Sequence, residues 1–303
     1  MVLRKQLGPS GIEIPEIGLG TWHYSGGPEP LRCGFEAGAW FIDTAESYGS
    51  ETVVAEAIAG VRDRVFLATK VSRQNLRRSS LLEAADRSLR QLRTNHIDLY
   101  QIHQPNDDIP IEETMGAMEE LVDAGKIRFI GVSNFSVRQL QQAQAALQRH
   151  SIVSNQVRYN LIDRTIEADL LPYCAANKIT VIAYSPLGRE LQRLRDADPS
   201  GVLQQVAAKT GRSVPQIALN WCLRQREVVV IPKGSSITHV RDLCGGSGWR
   251  LEPPELRLLD ERIRFRRRSR WELALRRAVP RGFGKVLQPI VRRLPSGIRR
   301  RLQ

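Results

Sequence analysis

Short runs that are apolar at successive positions recur eight times along the chain. They are IGLGTW (17–22), WFID (40–43), VFLATK (65–70), IDLYQIH (97–103), IRFIGVS (127–133), IVSNQV (152–157), ITVIAYS (179–185) and VVVIP (228–232). Such runs predict strands covered on both faces, as in a parallel sheet. Between them lie stretches with apolar residues three and four apart. SSLLEAADRSLRQL (79–92) places Leu82, Ala85, Leu89 and Leu92 on one face, and its opening serines predict a capped helix start. IEETMGAMEELVDAG (111–125) ends at Gly125, a helix-terminating residue. VPQIALNWCLRQ (214–225) has Pro215 in its first turn. Alternating strand and helix predicts an α/β fold. Eight units in about 250 residues favour a closed (β/α)8 TIM barrel over an open sheet. Ahead of the first run, VLRKQL and IEIPEI flank GPSG, which predicts an N-terminal β-hairpin. No GxGxxG follows the early strands, as a Rossmann domain would require.

Composition adds little to this picture until charge is located. At 303 residues, 42% hydrophobic and 25% charged, the chain is ordinary for a globular protein. No apolar run approaches the ~20 residues of a spanning helix, and MVLRKQLGPSG lacks the apolar centre of a secretion signal. Cys33, Cys174, Cys222 and Cys244 are widely spaced, which argues against zinc and disulfides and for a reducing, cytoplasmic setting. The net charge of +13 comes entirely from residues 264–303, which hold fourteen Lys+Arg and one acidic residue, Glu272. Residues 1–263 are therefore neutral overall and form the expected barrel body, with 264–303 a basic C-terminal extension. In that extension Trp271, Leu273, Leu275, Val279, Phe283, Val286, Leu287, Ile290 and Val291 alternate with arginines, and Pro280, Pro289 and Pro295 divide it. Three readings of it are ranked. Packing on the barrel comes first, an anionic membrane surface second, and nucleic acid last. It could also border the substrate pocket.

Chemistry in such a barrel belongs at the C-terminal ends of the strands. Asp43 ends the second run, with Tyr48 five residues on; Lys70 ends the third and His103 the fourth. Any one of these suits an ordinary strand end, where a polar residue meets solvent or caps a turn. Four proton-handling groups at three neighbouring strand mouths favour a site. A phenol has a pKa of ~10, so Tyr48 as a proton donor calls for its phenolate to be stabilised, and a nearby Lys70 ammonium would do so. Asp43 could hold Lys70 charged, while His103 binds the oxygen being protonated or shares the proton with Tyr48. The set suits protonation of a carbonyl oxygen as hydride reaches its carbon. Neither a metal-ligand cluster nor a nucleophile elbow supports hydrolysis. Glu46 and Ser47 are read as loop spacers.

GLGTW, FIDTAESYG, LATKV, IDLYQIHQP, GKIRFIGVSNFS, SNQVRYN and IAYSPLGR resemble the motifs of the aldo-keto reductases in order and spacing, from about Arg4 to Ile263. The resemblance implies a nicotinamide-dependent reductase of aldehydes or ketones, with Asp43, Tyr48, Lys70 and His103 as tetrad and Tyr48 as general acid. It implies that Ser133, Asn134 and Gln156 hold the nicotinamide amide and that Tyr184 stacks on the ring. Without it, Ser133–Asn134 would read as a turn and Tyr184 as core. Gly20, Thr21, Trp22, Asp43, Ser185 and Leu187 fall in its other cofactor-lining motifs. Trp22, with Tyr48 and His103, would face substrate; its alternative is core packing. Lys233, Ser235 and Ser236 fall in the cofactor-clamping segment VIPKGSSITHVRDL. His239 stands where many members have Arg, and Asp242–Leu243 where they have Glu-Asn. NADP(H) is expected ahead of NAD(H). Gln104 replaces a large residue, and the links 25–33 and 189–199 are short, which predicts a shallow, open site. A second function class is a cofactor-binding regulatory subunit that docks through its basic extension, since some relatives act as partners of membrane proteins.

Overall fold

The hairpin and all eight expected strands are present in the computed structural model, which describes residues 2–266. The hairpin pairs β1 (Arg4–Gln6) with β2 (Glu13–Pro15). The barrel strands are β3 (Leu19–Gly20), β4 (Phe41–Asp43), β5 (Phe66–Val71), β6 (Ile97–Ile102), β7 (Ile127–Ser133), β8 (Ile152–Arg158), β9 (Thr180–Tyr184) and β10 (Val228–Ile231). Each pairs in parallel with the next in sequence. The barrel closes between its first and last strands. Gly18 N–H donates to Val230 O at 2.8 Å, Val230 N–H to Glu16 O at 2.9 Å and Gly20 N–H to Pro232 O at 2.9 Å. Closure is tight at Gly20, where a Cβ would come within 2.7 Å of Ile231 O. Only glycine allows that approach.

Two apolar layers result. The larger lies between strands and helices, and the smaller fills the barrel. Phe41, Phe66, Ala68, Leu99, Val153, Ile182 and Val229 point into the interior, where Leu7 and Ile14 join them from the hairpin and its turn. The hairpin thus plugs the N-terminal end and leaves the other end for chemistry. Lys5 anchors the plug, donating to the carbonyls of Leu223, Gln225 and Val228 at 2.8, 2.7 and 2.8 Å. Buried Glu16 receives Ser247 Oγ and Arg250 Nη2, both at 2.6 Å.

Helix placement departs from expectation in two places. The helix Arg78–Leu92 begins before its serines, and no side chain of its own caps it. Glu113, from the next helix, accepts the Arg78 N–H at 3.0 Å instead. Its buried face is Leu81, Ala84, Ala85, Ser88 and Leu92, with Leu82 and Leu89 at the edge, because the helix also packs on its two helical neighbours. Within 189–199 a short helix, Leu191–Asp196, forms because Leu194 reaches the core. Other expectations hold. Ser213 and Gln216 make a reciprocal cap on Val214–Leu223, and Gly125 takes a left-handed φ of 69° after Ile111–Asp123. All four cysteines are buried thiols. No helix among the described residues is long and apolar enough to cross a membrane. From 267 on the basic extension lies outside the described residues, and so does the docking role considered for it.

Candidate active site

The four residues singled out at strand mouths converge. Asp43, the last residue of β4, and Lys70, on β5, are both buried, with Lys70 Nζ 2.5 Å from Asp43 Oδ1 and 2.7 Å from Thr44 O. Tyr48 ends a short 3-10 turn, Glu46–Tyr48, released by Gly49 at a left-handed φ of 68°. The Lys70 ammonium lies 4.9 Å from the centroid of the Tyr48 ring. Tyr48 Oη is 3.5 Å from His103 Nε2, and the two rings meet edge to face. Glu46 is no spacer. Its carboxylate accepts from Ser72 N–H and from Asn75 Nδ2, binding the Tyr48 turn to the loop beyond Lys70.

Electrostatics set the resting state of the site. Burial, then the Asp43 charge, push the pKa of the Tyr48 phenol well up, so it rests protonated. Burial also lowers Lys70, against the raising effect of Asp43. His103 falls from 6.5 to about 4 through burial and the Lys70 charge, so its imidazole is neutral at neutral pH. The site therefore holds a protonated phenol, a neutral imidazole and a compensated ion pair.

Of the expected cofactor groups, Ser133, Asn134, Gln156 and Tyr184 are bonded to one another or to the tetrad. Ser133 Oγ donates to Gln156 O at 2.9 Å. Asn134, at a left-handed φ of 64°, donates to His103 O at 3.1 Å and accepts from Tyr184 Oη at 3.1 Å. Gln156 is buried and donates to Asp43 Oδ2 at 2.7 Å. Trp22 is 43% exposed, so it is not core. It packs against His23, and the Arg189 guanidinium stands 5.1 Å from its ring. Lys233 is exposed and donates to His23 O at 3.1 Å. Ser236, next to Ser235, caps the helix Ile237–Cys244 and holds the N–H of exposed His239. Ser185 O accepts from Asn160 at 2.9 Å, and half-buried Leu187 follows it.

Two of the expected cofactor groups are also bonded within the fold. Thr21 is buried and donates to Asp43 O at 3.0 Å while accepting from Ser50, which props the Asp43 backbone. Asp242 Oδ1 accepts from Ser213 Oγ at 2.8 Å and Gln216 Nε2 at 3.0 Å, joining two helices. Both hydrogen-bonding groups find partners within the fold. One group was missed: Gln101, on β6, donates to Asp43 Oδ2 at 3.1 Å. Its signal was a lone amide inside the apolar run IDLYQIH.

Residues 16–263 match the Aldo/keto reductase family. The chain belongs to that family. It is 36% identical over 260 residues to the methylglyoxal reductase YeaE of Escherichia coli, covering 82% of this chain and 91% of that one. It is 39% identical over 266 residues to the aldo-keto reductase YhdN of Bacillus subtilis, covering 71% and 80%. Among solved structures, the thermostable aldo-keto reductase Tm1743 aligns with a TM-score of 0.79 at 39% identity, covering 85% of this chain and 98% of that one. An aldo/keto reductase from Klebsiella pneumoniae, solved with NADP and acetate, aligns with a TM-score of 0.79 at 38% identity, covering 88% and 98%. As an aldo/keto reductase, this chain is an oxidoreductase with the (β/α)8 barrel of those structures.

Proposed function

We propose that this aldo/keto reductase reduces small aldehydes and ketones with hydride from NADPH, and that Tyr48 gives the proton. One observation carries the reading: a phenol kept protonated by its surroundings stands 3.5 Å from a neutral imidazole and beside a buried Asp–Lys pair. The relatives named as methylglyoxal reductase and glyoxal reductase support small, electrophilic carbonyls as substrates. Similar chains solved with NADP or NADPH support the cofactor.

The residues present fit that cofactor. Gln156 Oε1 accepts no hydrogen bond among the described residues, so an acceptor is available for a carboxamide. Ser133, Asn134 and Gln156 would hold that amide, and the Tyr184 ring would lie against the nicotinamide. Lys233, Ser235 and the start of the helix Ile237–Cys244 suit phosphate, since N–H groups and the helix dipole favour anions there. His239, at that helix start, favours NADP(H) over NAD(H) less strongly than an arginine would.

When bound, NADPH supplies the hydride to the carbonyl carbon. His103, neutral, offers a ring N–H to the carbonyl oxygen and fixes it beside Tyr48. Tyr48 Oη then passes its proton to that oxygen as negative charge builds there. Lys70, against the Tyr48 ring, offsets the charge left on the phenolate. Asp43 keeps Lys70 in place, and burial excludes water from the pair.

The test is oxidation of NADPH and of NADH against methylglyoxal, glyoxal, aromatic aldehydes and ketones. Carbonyl-dependent oxidation, faster with NADPH at equal low concentration, is expected. A folded chain that turns over none of these sinks the reading.

A further inference from the structure

Gln101 sits in β6, fully buried, with Lys70 opposite it on β5 and Gly131 opposite it on β7. Its Nε2 donates to Asp43 Oδ2 at 3.1 Å, and Gln156 Nε2 donates to the same oxygen at 2.7 Å. Gln156 also donates to Gln101 Oε1 at 3.3 Å. The other Asp43 oxygen faces Lys70 at 2.5 Å. A carboxylate only accepts, so both amides must turn their NH2 groups toward it. The backbone makes room for this arrangement. At Gly131 a Cβ would fall 2.9 Å from Gln101 Cγ and 2.8 Å from Ser154 Oγ.

We propose that Gln101 is a positioning residue for the reduction, acting through Asp43; this rests on the reductase reading above. Gln156 works at both ends of its amide: Nε2 donates to Asp43 Oδ2, and Oε1 is the end available to a nicotinamide carboxamide. Movement of that side chain as it takes up the cofactor is therefore passed to Asp43. Gln101, mid-strand and buried, keeps that oxygen bonded while Gln156 adjusts. Asp43 therefore stays aligned on Lys70, and cofactor binding does not disturb the pair behind Tyr48. Without Gln101, Asp43 Oδ2 depends on Gln156 Nε2 alone, and movement of Gln156 toward the cofactor lets the carboxylate rotate off Lys70.

Three variants test this: Gln101→Leu, Gln101→Glu and Gly131→Ala. The readouts are NADPH affinity by fluorescence titration, and kcat with methylglyoxal across pH, with circular dichroism as the folding control. Gln101→Leu is expected to lower kcat and NADPH affinity together, kcat by about ten-fold, the scale of one hydrogen bond to a charged group. Gln101→Glu faces Asp43 with a second carboxylate and loses activity at neutral pH. It regains activity as pH falls, because the protonated acid can donate where the amide did. A packing role would give no such recovery. Gly131→Ala displaces Gln101 and is expected to change kcat in the direction of Gln101→Leu while adding little on top of it. An active wild type with Gln101→Leu unchanged in kcat, affinity and pH profile overturns the proposal alone. So does a Gln101→Glu variant without acid recovery, which decides the matter if Gln101→Leu fails to fold. A wild type that turns over no carbonyl overturns the reductase reading and this proposal with it.

Discussion

Replacing Tyr48 by Phe separates chemistry from structure at this site. The substitution removes one oxygen and keeps the ring that the Lys70 ammonium approaches at 4.9 Å. The hydroxyl's one hydrogen bond among the described residues, to His103, measures 3.5 Å, the outer limit for such a bond. Its loss should cost no more than about 0.5 kcal/mol of stability, below the usual worth of a well-formed hydrogen bond. Catalysis should respond very differently. Proton transfer by a positioned side chain contributes about 10²–10⁴-fold, or about 3–5 kcal/mol of barrier. The phenol's raised pKa keeps it protonated across the working range, so the wild type never lacks this proton. Reduced-nicotinamide absorbance during methylglyoxal reduction gives kcat, and fluorescence titration gives NADPH affinity. The expected outcome is a kcat lower by at least about a hundred-fold with affinity and melting temperature nearly unchanged. A Tyr48→Phe variant within about three-fold of wild-type kcat would refute Tyr48 as the acid, since that corresponds to under about 1 kcal/mol of barrier.

Other consequences concern charge. Lys70→Met leaves the buried Asp43 carboxylate without its cation and should cost about 3–5 kcal/mol in urea unfolding; adding Asp43→Asn should restore part of that loss, and a double variant less stable than Lys70→Met would contradict it. His103 binds its proton near 6.5 when unfolded but only near 4 when folded. The unfolded chain then holds the extra proton between those values, so stability is full above 6.5 and falls as pH drops toward 4. After allowance for partial exposure this amounts to about 1–2 kcal/mol, and His103→Gln should flatten the slope of unfolding free energy in that window. His239→Arg, at an exposed helix start, should lower the KM for NADPH about three- to ten-fold and leave that for NADH alone; an equal change for both cofactors would place His239 away from the phosphate.

The barrel was legible because each strand is covered on both sides and so reads as an unbroken apolar run. Asp43, Lys70 and His103 stood out because polarity begins where those runs stop. What sequence patterns did not carry was partnership between distant segments. Nothing near Thr21 or Asp242 in the sequence announces that Asp43 O, Ser213 and Gln216 bond to them. The Arg78 helix start is capped by Glu113, thirty-five positions away, so no local motif marks it. The direction of the Tyr48 shift depends on burial and on the Asp43 charge brought beside it. Neither quantity belongs to a residue alone. Gln101 was visible as an amide in a strand, but its value lies in an oxygen contributed by another strand.

The N-terminal plug is held by groups that are made last. Lys5 bonds to carbonyls 218 to 223 positions later, Ser247 and Arg250 reach Glu16 across 231 and 234, and Leu3 meets Ser247 across 244. On the ribosome, the first hairpin must therefore wait without these partners until almost the whole barrel sequence has emerged. Loop closure of that length is slow and carries no local reward along the way. This hairpin is thus made early and among the last parts to settle, and the closing edge of β3 stays unpaired until β10 has emerged.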